Sequence, residues 1–401
     1  MKTNPTPLGP KADKETVRRH NLSLVLRAVH DEGEATRAGV AARVGLTRAA
    51  VSSLVEQLLE SGFVTESGKT FSGQAGRPGT MLKVARAGVA GVGVEVNVDY
   101  VSVCVVDLAG TDRVRLTEHL DHRGAEPAGV LARAARIADR ALESAERQEL
   151  RPVGVTLALP GLLARGTVRQ APNLGWSEVP ADALFAGALS ARLPVRSENE
   201  ANLAALAELW FGGAGAVRTF LYLTGEIGVG GALVLGGELL RGAHGFAGEI
   251  GHAVVDPQGP PCRCGARGCL EQYAGQGALL RAAGLDEDSG ATGVAELERR
   301  AAAGEAPAVA ALEAAGAVLG RVLATAVNLF DPEAVVLGGI YRGLAPWLAP
   351  AAGAELAARG VSGLWTPEAG RLRASSSAGD AARGAAALVV RDVLADPVAY
   401  A

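Results

Sequence analysis

Lysine, aromatic residues and cysteine are all scarce in this chain. Aromatics make up 4% of 401 residues, and there are four cysteines and two methionines. The shortage of Lys beside an excess of Ala and Gly is the bias of a GC-rich genome, not a functional signal. No apolar segment follows the opening MKTNPTPLGPKADKE, so no signal peptide is expected. The longest apolar stretch, near residues 306 to 330, is broken by Glu313 and Arg321 and reads as a buried helix, not a membrane span. No 20–50-residue repeat is evident. These absences predict a cytoplasmic, reducing location with no membrane partner, where clustered cysteines suggest metal more than disulfide.

What is present is globular: 48% hydrophobic and 20% charged residues, over a length that predicts two or three domains. Charge is uneven. Residues 1–86 hold 13 Lys and Arg against 8 Asp and Glu, a net of +5, while the remainder holds 26 against 35, a net of −9. A basic head of residues 1–86 on an acidic body of residues 87–401 suggests that the head meets a polyanion.

In the head, "TRAGVAARVGLTRAAVSSLVEQLLESGFV" (residues 36–64) carries two helical patterns around a turn at Gly45. Thr36 and Thr47 are placed to cap them. Val51, Leu54, Val55 and Leu58 recur at three and four residues and share a buried face, which leaves Arg48, Ala49, Ser52, Ser53 and Gln57 outward. A preceding helix is expected near residues 15–31. With "GFVTESGKTFSGQAGRPGTMLKV" as a two-stranded wing, this is a winged helix-turn-helix pattern, and a double-stranded DNA operator is the expected partner. A plain three-helix bundle is the bland alternative; the basic balance and the wing favour DNA. Arg48, Ser52 and Ser53 are candidates for groove contact, Arg37 and Arg43 for phosphates. Arg77, in "GRP", has the form of a minor-groove hook or of a simple linker turn.

From Ala90 onward strands and helices alternate, which predicts an α/β body. Cys104 lies in its second strand and reads as a small core residue. Cys262, Cys264 and Cys269 form a C-x-C-x4-C cluster on a Gly- and Pro-rich loop, suited to structural zinc. Spacing makes His252 the nearest fourth ligand without excluding His244. Glu249, Glu271, Asn199 and Glu200 lie in nearby loop motifs. Such groups suit a polyhydroxylated ligand, and equally suit solvated loops or helix caps.

Together "LALPG", "ENEAN", "AGEIGH", "CRCGARGCLE" and "VVLGG", behind the helix-turn-helix head, resemble the ROK family of sugar-responsive repressors and sugar kinases. The resemblance implies two actin-like (ribonuclease H-like) α/β lobes around a cleft. It implies sugar-binding residues at Asn199, Glu200, Glu249, His252 and Glu271, with Gly161 nearby. It implies zinc ligands at His252, Cys262, Cys264 and Cys269, so that His252 serves both metal and sugar. Kinases of the family open the body with Asp-x-Gly-Gly-Thr, where this chain has "EVNVDY" (residues 95–100), with Asn97 and Val98 at the paired glycines and Asp99 beside them. The kinase base is the Asp of "END"; here it is Glu200. Both departures imply that the chain has no catalytic residues. The expectation is a repressor of carbohydrate-utilisation genes with a monosaccharide effector, of the xylose-repressor branch, assembling as a homodimer or homotetramer. A sugar kinase with a regulatory head is the alternative.

Overall fold

The structure, a computed structural model, describes residues 13–70, 79–212, 217–361, 370–375 and 381–401. Arg77 lies outside these residues.

The head begins with α1 (Lys14–Glu32), β1 (Ala35–Thr36), α2 (Arg37–Val44) and α3 (Arg48–Glu60), followed by β2 (Val64–Thr70) and β3 (Gly79–Val84). Its helix starts obey local chemistry. Thr36 Oγ1 accepts the Gly39 N–H at 3.1 Å and Thr47 Oγ1 accepts the Ala50 N–H at 3.2 Å, satisfying donors that a helix start leaves open. Gly45 closes α2 in the left-handed region (φ 71°), where a side chain would be strained. Val51, Leu54, Val55 and Leu58 are buried against Leu22, Val25, Leu26 and Val29 of α1. The wing is a three-stranded sheet, because β1 pairs with the outer face of β3.

The body repeats one topology twice. The first lobe contains β4 (Gly88–Val96), β5 (Tyr100–Asp107), β6 (Asp112–His119), α4 (Pro127–Glu146) and β7 (Leu150–Leu159). A small sheet of β8 (Leu162–Ala164), β9 (Thr167–Ala171) and β10 (Trp176–Val179) follows, then α5 (Ala181–Ala188) and β11 (Val195–Asn199). Helix α6 (Glu200–Phe211) leads to the second lobe. That lobe contains β12 (Phe220–Gly225), β13 (Val229–Leu235), β14 (Glu238–Leu239), α7 (Glu271–Ala274), α8 (Gln276–Ala282), α9 (Gly290–Ala302), α10 (Ala306–Phe330), β15 (Ala334–Gly339), α11 (Ile340–Arg359) and β16 (Leu372–Ala374). The sheets read β6-β5-β4-β7-β11 and β14-β13-β12-β15-β16. In each, an antiparallel meander of three strands is extended by two parallel ones.

Helix α10 is long and apolar enough to cross a membrane, but its Leu312, Ala315, Leu319 and Leu323 are buried in the second lobe's core. It is a core helix, as the interruption by Glu313 and Arg321 predicts.

The last helix, α12 (Ala381–Ala395), returns to the first lobe and had no sequence signature of its own. It lies against β4 with no room for side chains between them. An ideal Cβ on Gly93 would stand 1.9 Å from Ala382 O, and one on Gly91 2.2 Å from Ala386 O. Its Ala382, Ala386, Val390, Val393 and Leu394 join the same hydrophobic cluster as the helices of the head. Ser23 Oγ donates to Leu394 O at 2.8 Å, and Arg19 pairs with Asp396 just beyond the helix. Head and body therefore share a packed core.

Candidate functional site

A cavity of about 70 Å³ lies between the lobes, lined by Gly161, Asn173, Asn199, Glu200, Gly228, Glu249, His252 and Glu271 among others. It has room for roughly five to seven water-sized groups, a small polar space. All six expected sugar-binding residues line it. Asn199 is mostly committed to the scaffold: Oδ1 caps α6 through Ala201 N (2.9 Å) and Asn202 N (3.2 Å), and Nδ2 donates to Gly161 O at 3.0 Å. Glu271 Oε2 accepts the Val229 N–H at 3.4 Å. Side-chain ties from the second lobe to the first flank the cavity: Arg241 to Glu198 (2.8 Å), Arg263 to Asn173 (3.3 Å) and Arg123 to Asp288 (3.2 Å).

Carboxylates dominate the electrostatics. Burial, then the charges of Glu95 and Glu249, pushes Glu200 up to about 8. Its Oε2 is sealed from solvent and has no hydrogen-bond partner among the described residues. At neutral pH Glu200 therefore carries a proton, and an acid that is already protonated donates to a hydroxyl more readily than it deprotonates one. Burial, opposed by His252 and reinforced by Glu271, also raises Glu249.

At the turn that takes the place of the kinases' Asp-x-Gly-Gly-Thr, the chain has packed side chains and acids. Asn97 and Val98 are 3% and 2% exposed, and Asn97 Oδ1 accepts the Val98 N–H at 2.7 Å, so the turn folds inward. Burial and the charges of Glu200, Glu95 and Asp99 hold Glu226, in the turn between β12 and β13, well above the usual carboxylate range. Tyr100 donates to Glu95 Oε1 at 2.6 Å, and Glu95 Oε2 accepts the Ala382 N–H of α12 at 3.3 Å. Glu95, Glu226 and Asn173 were not singled out in the sequence. A carboxylate inside the apolar, Gly-rich "LTGEIGVGG" was the available signal for Glu226; the role of Glu95 depends on a helix nearly 300 positions away.

The four ligand atoms of His252, Cys262, Cys264 and Cys269 lie within 4.8 Å of one another. Cys264 Sγ is 3.7 Å from Cys269 Sγ, and Cys262 Sγ is 3.8 Å from His252 Nδ1. A tetrahedron with metal–sulfur bonds of about 2.3 Å has edges of about 3.8 Å, so the spacing fits a metal ion and is far too long for a disulfide. Burial and the neighbouring thiols push Cys269 up to about 12, an environment that a cation would reverse. His252 Nδ1 faces the thiols, while Nε2 stands 3.9 Å from Glu249 in the cavity. His244 is not in the cluster.

In the head, Arg48 and Ser53 are exposed on α3 and Ser52 is half-buried. Arg37 pairs with Glu66 of the wing at 2.8 Å, and Arg43 pairs with Glu32 at 3.1 Å and Asp31 at 3.4 Å. These two arginines tie parts of the head together.

A winged helix-turn-helix joined to a two-lobed body with a small polar cleft defines a ligand-binding regulator built on a sugar-kinase-like scaffold. The ROK family model matches residues 91–392, and the chain belongs to the ROK family. It is 32% identical over 336 residues to a putative xylose repressor of Caldicellulosiruptor sp. (strain Rt8B.4), covering 80% of this chain and 83% of that protein. A crystal structure of a ROK family transcriptional regulator, a homolog of E. coli Mlc, superposes with a TM-score of 0.77 at 25% identity over 94% of this chain and 97% of that one. A ROK glucokinase from Streptomyces griseus, solved with glucose and AMPPNP, superposes with a TM-score of 0.63 at 26% identity over 75% of this chain and 98% of its own. The repressor likeness thus includes the head, and the kinase likeness stops at the body.

Proposed function

We propose that this protein is a sugar-responsive transcriptional repressor that binds its effector without phosphorylating it. The observation that carries this reading is the acidic, inward-folded phosphate side of the cleft: Glu226, Glu95 and the Asn97–Val98 turn stand where a nucleotide's phosphates would pass. Buried side chains deny phosphate the backbone amides that a glycine loop would offer, and the packed acids supply no cation to hold it. Glu200, Glu249, His252 and Glu271 take the sugar hydroxyls, with protonated Glu200 as a donor. Zinc is the metal held by His252 and the three cysteines. It supplies rigidity to the loop and fixes the imidazole that faces the sugar, in the closed four-ligand arrangement of a structural site.

Arg48, Ser52 and Ser53 read an operator and Arg77 reaches its backbone or minor groove. We take the head to end near residue 86. A symmetric operator implies a homodimer, or a homotetramer built from two. Helix α12 links the two functions. Its N-terminal N–H rests on Glu95, its middle is wedged against β4 and α6, and its far end holds α1 through Ser23 and Arg27. A sugar that draws the lobes together moves α6, and with it the base on which α1 sits. The relatives named as xylose repressors make D-xylose the first effector to try, and the location follows as cytoplasmic. The test is operator binding by fluorescence anisotropy while monosaccharides are titrated. The expected result is a sugar-dependent change in affinity with no ATP-dependent sugar phosphorylation; unchanged affinity with every sugar, or sugar-dependent ATP turnover, refutes it.

A further inference from the structure

The sugar cavity does not end at Glu271. Asn173 and Glu271 also line a second, polar cavity of about 310 Å³, which opens outward between Arg123, Arg263, Gln276 and Arg281. Gly228, which lines the inner cavity, lies against both shared residues: an ideal Cβ there would stand 2.3 Å from Glu271 Oε2 and 3.0 Å from Asn173 Nδ2. A side chain at 228 would displace the ends of both from the wall that the two cavities share.

The chemistry of this outer cavity is that of a neutral, hydroxyl-rich ligand. Its charges are internally balanced: Arg123 pairs with Asp288 at 3.2 Å, and Arg281 pairs with Glu287. Among the described residues the Arg263 side chain has only the Asn173 amide oxygen as a hydrogen-bond partner, at 3.3 Å. That leaves one guanidinium beside one carboxylate, Glu271, so an anion gains no net attraction. Gln276 is 5% exposed and lines the cavity, yet its side-chain amide makes no hydrogen bond among the described residues. That amide offers a ligand hydroxyl both a donor and an acceptor at the cavity wall. Arg263 sits between Cys262 and Cys264, so the metal loop holds it at the cleft mouth.

We infer that this outer cavity is a second sugar subsite, and that the effector is a disaccharide or longer oligosaccharide with one ring between Glu200 and Glu271 and the next among Gln276, Arg263 and Asn173. The inference rests on the proposed sugar-sensing cleft and goes beyond it in naming the size of the ligand. Arg263 and Gln276 set the preference for two rings over one; neither lines the inner cavity.

The experiment is isothermal titration of the full-length, zinc-loaded protein with D-xylose, D-glucose, xylobiose, cellobiose and maltose. At least one disaccharide is expected to bind ten-fold or more tightly than the monosaccharide from which it is built. Gln276→Leu should remove most of that advantage while leaving monosaccharide affinity unchanged, and Arg263→Ala, at an exposed position that also ties the lobes, should reduce the ratio of disaccharide to monosaccharide affinity. If a monosaccharide binds and no disaccharide binds more tightly, the subsite is wrong and the sensing cleft stands. If disaccharides keep their advantage in both variants, the subsite is also wrong. If no sugar of either size binds, the reading of the cleft fails and takes the subsite with it.

Discussion

Glu95 and Ala382 meet at the start of the last helix: the carboxylate accepts the backbone N–H at 3.3 Å, with Tyr100 on its other oxygen. The contact joins the edge of the ligand cleft to a helix whose other end holds the DNA-reading head. Anions at a helix N-terminus satisfy open N–H groups and the helix dipole, so the position of this helix depends on the state of the acid cluster.

If that contact transmits occupancy, Glu95→Gln separates binding from response. Sugar affinity and operator affinity should each stay near the wild-type values. The sugar-induced change in operator affinity, expected at about 5–150-fold for a typical allosteric coupling, should shrink to within about twofold. Anisotropy titrations with and without sugar read the difference; an undiminished response removes Glu95 from the pathway.

The close seating of α12 makes a steric prediction. In Gly93→Ala the new methyl would meet backbone, Ala382 O at 1.9 Å and Ala386 N at 2.6 Å, with no flexible side chain to yield. Urea denaturation should show a loss of about 3 kcal/mol or more, since overpacking against backbone forces the helix to shift. Gly129→Ala, in α4 with nothing near its Cβ, should be neutral or stabilising by about 0.5–1 kcal/mol.

Glu200 sets a pH dependence. Its folded pKa, about 8, exceeds the unfolded value of 4.5, so the native state holds a proton that the unfolded state has released. Stability from this group should therefore fall as pH rises from 4.5 to about 8 and then level off. Glu200→Gln keeps the neutral shape and removes the titration. The variant should melt close to wild type at pH 5 and several degrees above it at pH 8.5; parallel melting curves at both values would contradict the burial argument.

Loss of one metal ligand should unseat a sugar residue as well. Cys269 is fully buried in the His-Cys cluster, and Cys269→Ser should reduce bound zinc from about one ion per chain to nearly none. Sugar affinity should fall with it, because His252 loses the partner that orients its ring toward Glu249. Elemental analysis and titration on the same sample test both halves.

Arg48 is exposed on the outward face of α3 and has no ion pair among the described residues. Arg48→Ala should cost about 1–3 kcal/mol of specific operator binding if it reads a base. If it touches phosphate instead, binding to all sequences should weaken and the salt slope should fall by about one. Anisotropy at several salt concentrations distinguishes the two.

The head was legible because its rules are short-range. Threonine caps, a glycine at the turn and apolar spacing of three and four residues placed α2 and α3 almost to the residue. The Cys cluster was legible for the same reason, since its three thiols lie within eight positions. The cleft residues were found through motifs whose combination resembled a family. The small β8–β10 sheet was missed because its strands are three to five residues long, too short for alternation to stand out. Helix α12 was missed because Ala and Gly at 381–387 show little contrast between faces.

By itself, the sequence determined the local elements, the cluster of three cysteines and the polar character of the cleft, because these follow from residues that are neighbours in the chain or in a motif. Tertiary structure alone decided what those parts do to one another. It packed Glu95, Glu200 and Glu226 so closely that burial and mutual repulsion push Glu200 up to about 8 and hold Glu226 well above the usual carboxylate range. It brought residues 381–395 back against β4 and α1, and placed Arg263 beside Asn173. Those effects depend on distance and desolvation between groups tens to hundreds of positions apart, quantities that exist only once the chain has folded.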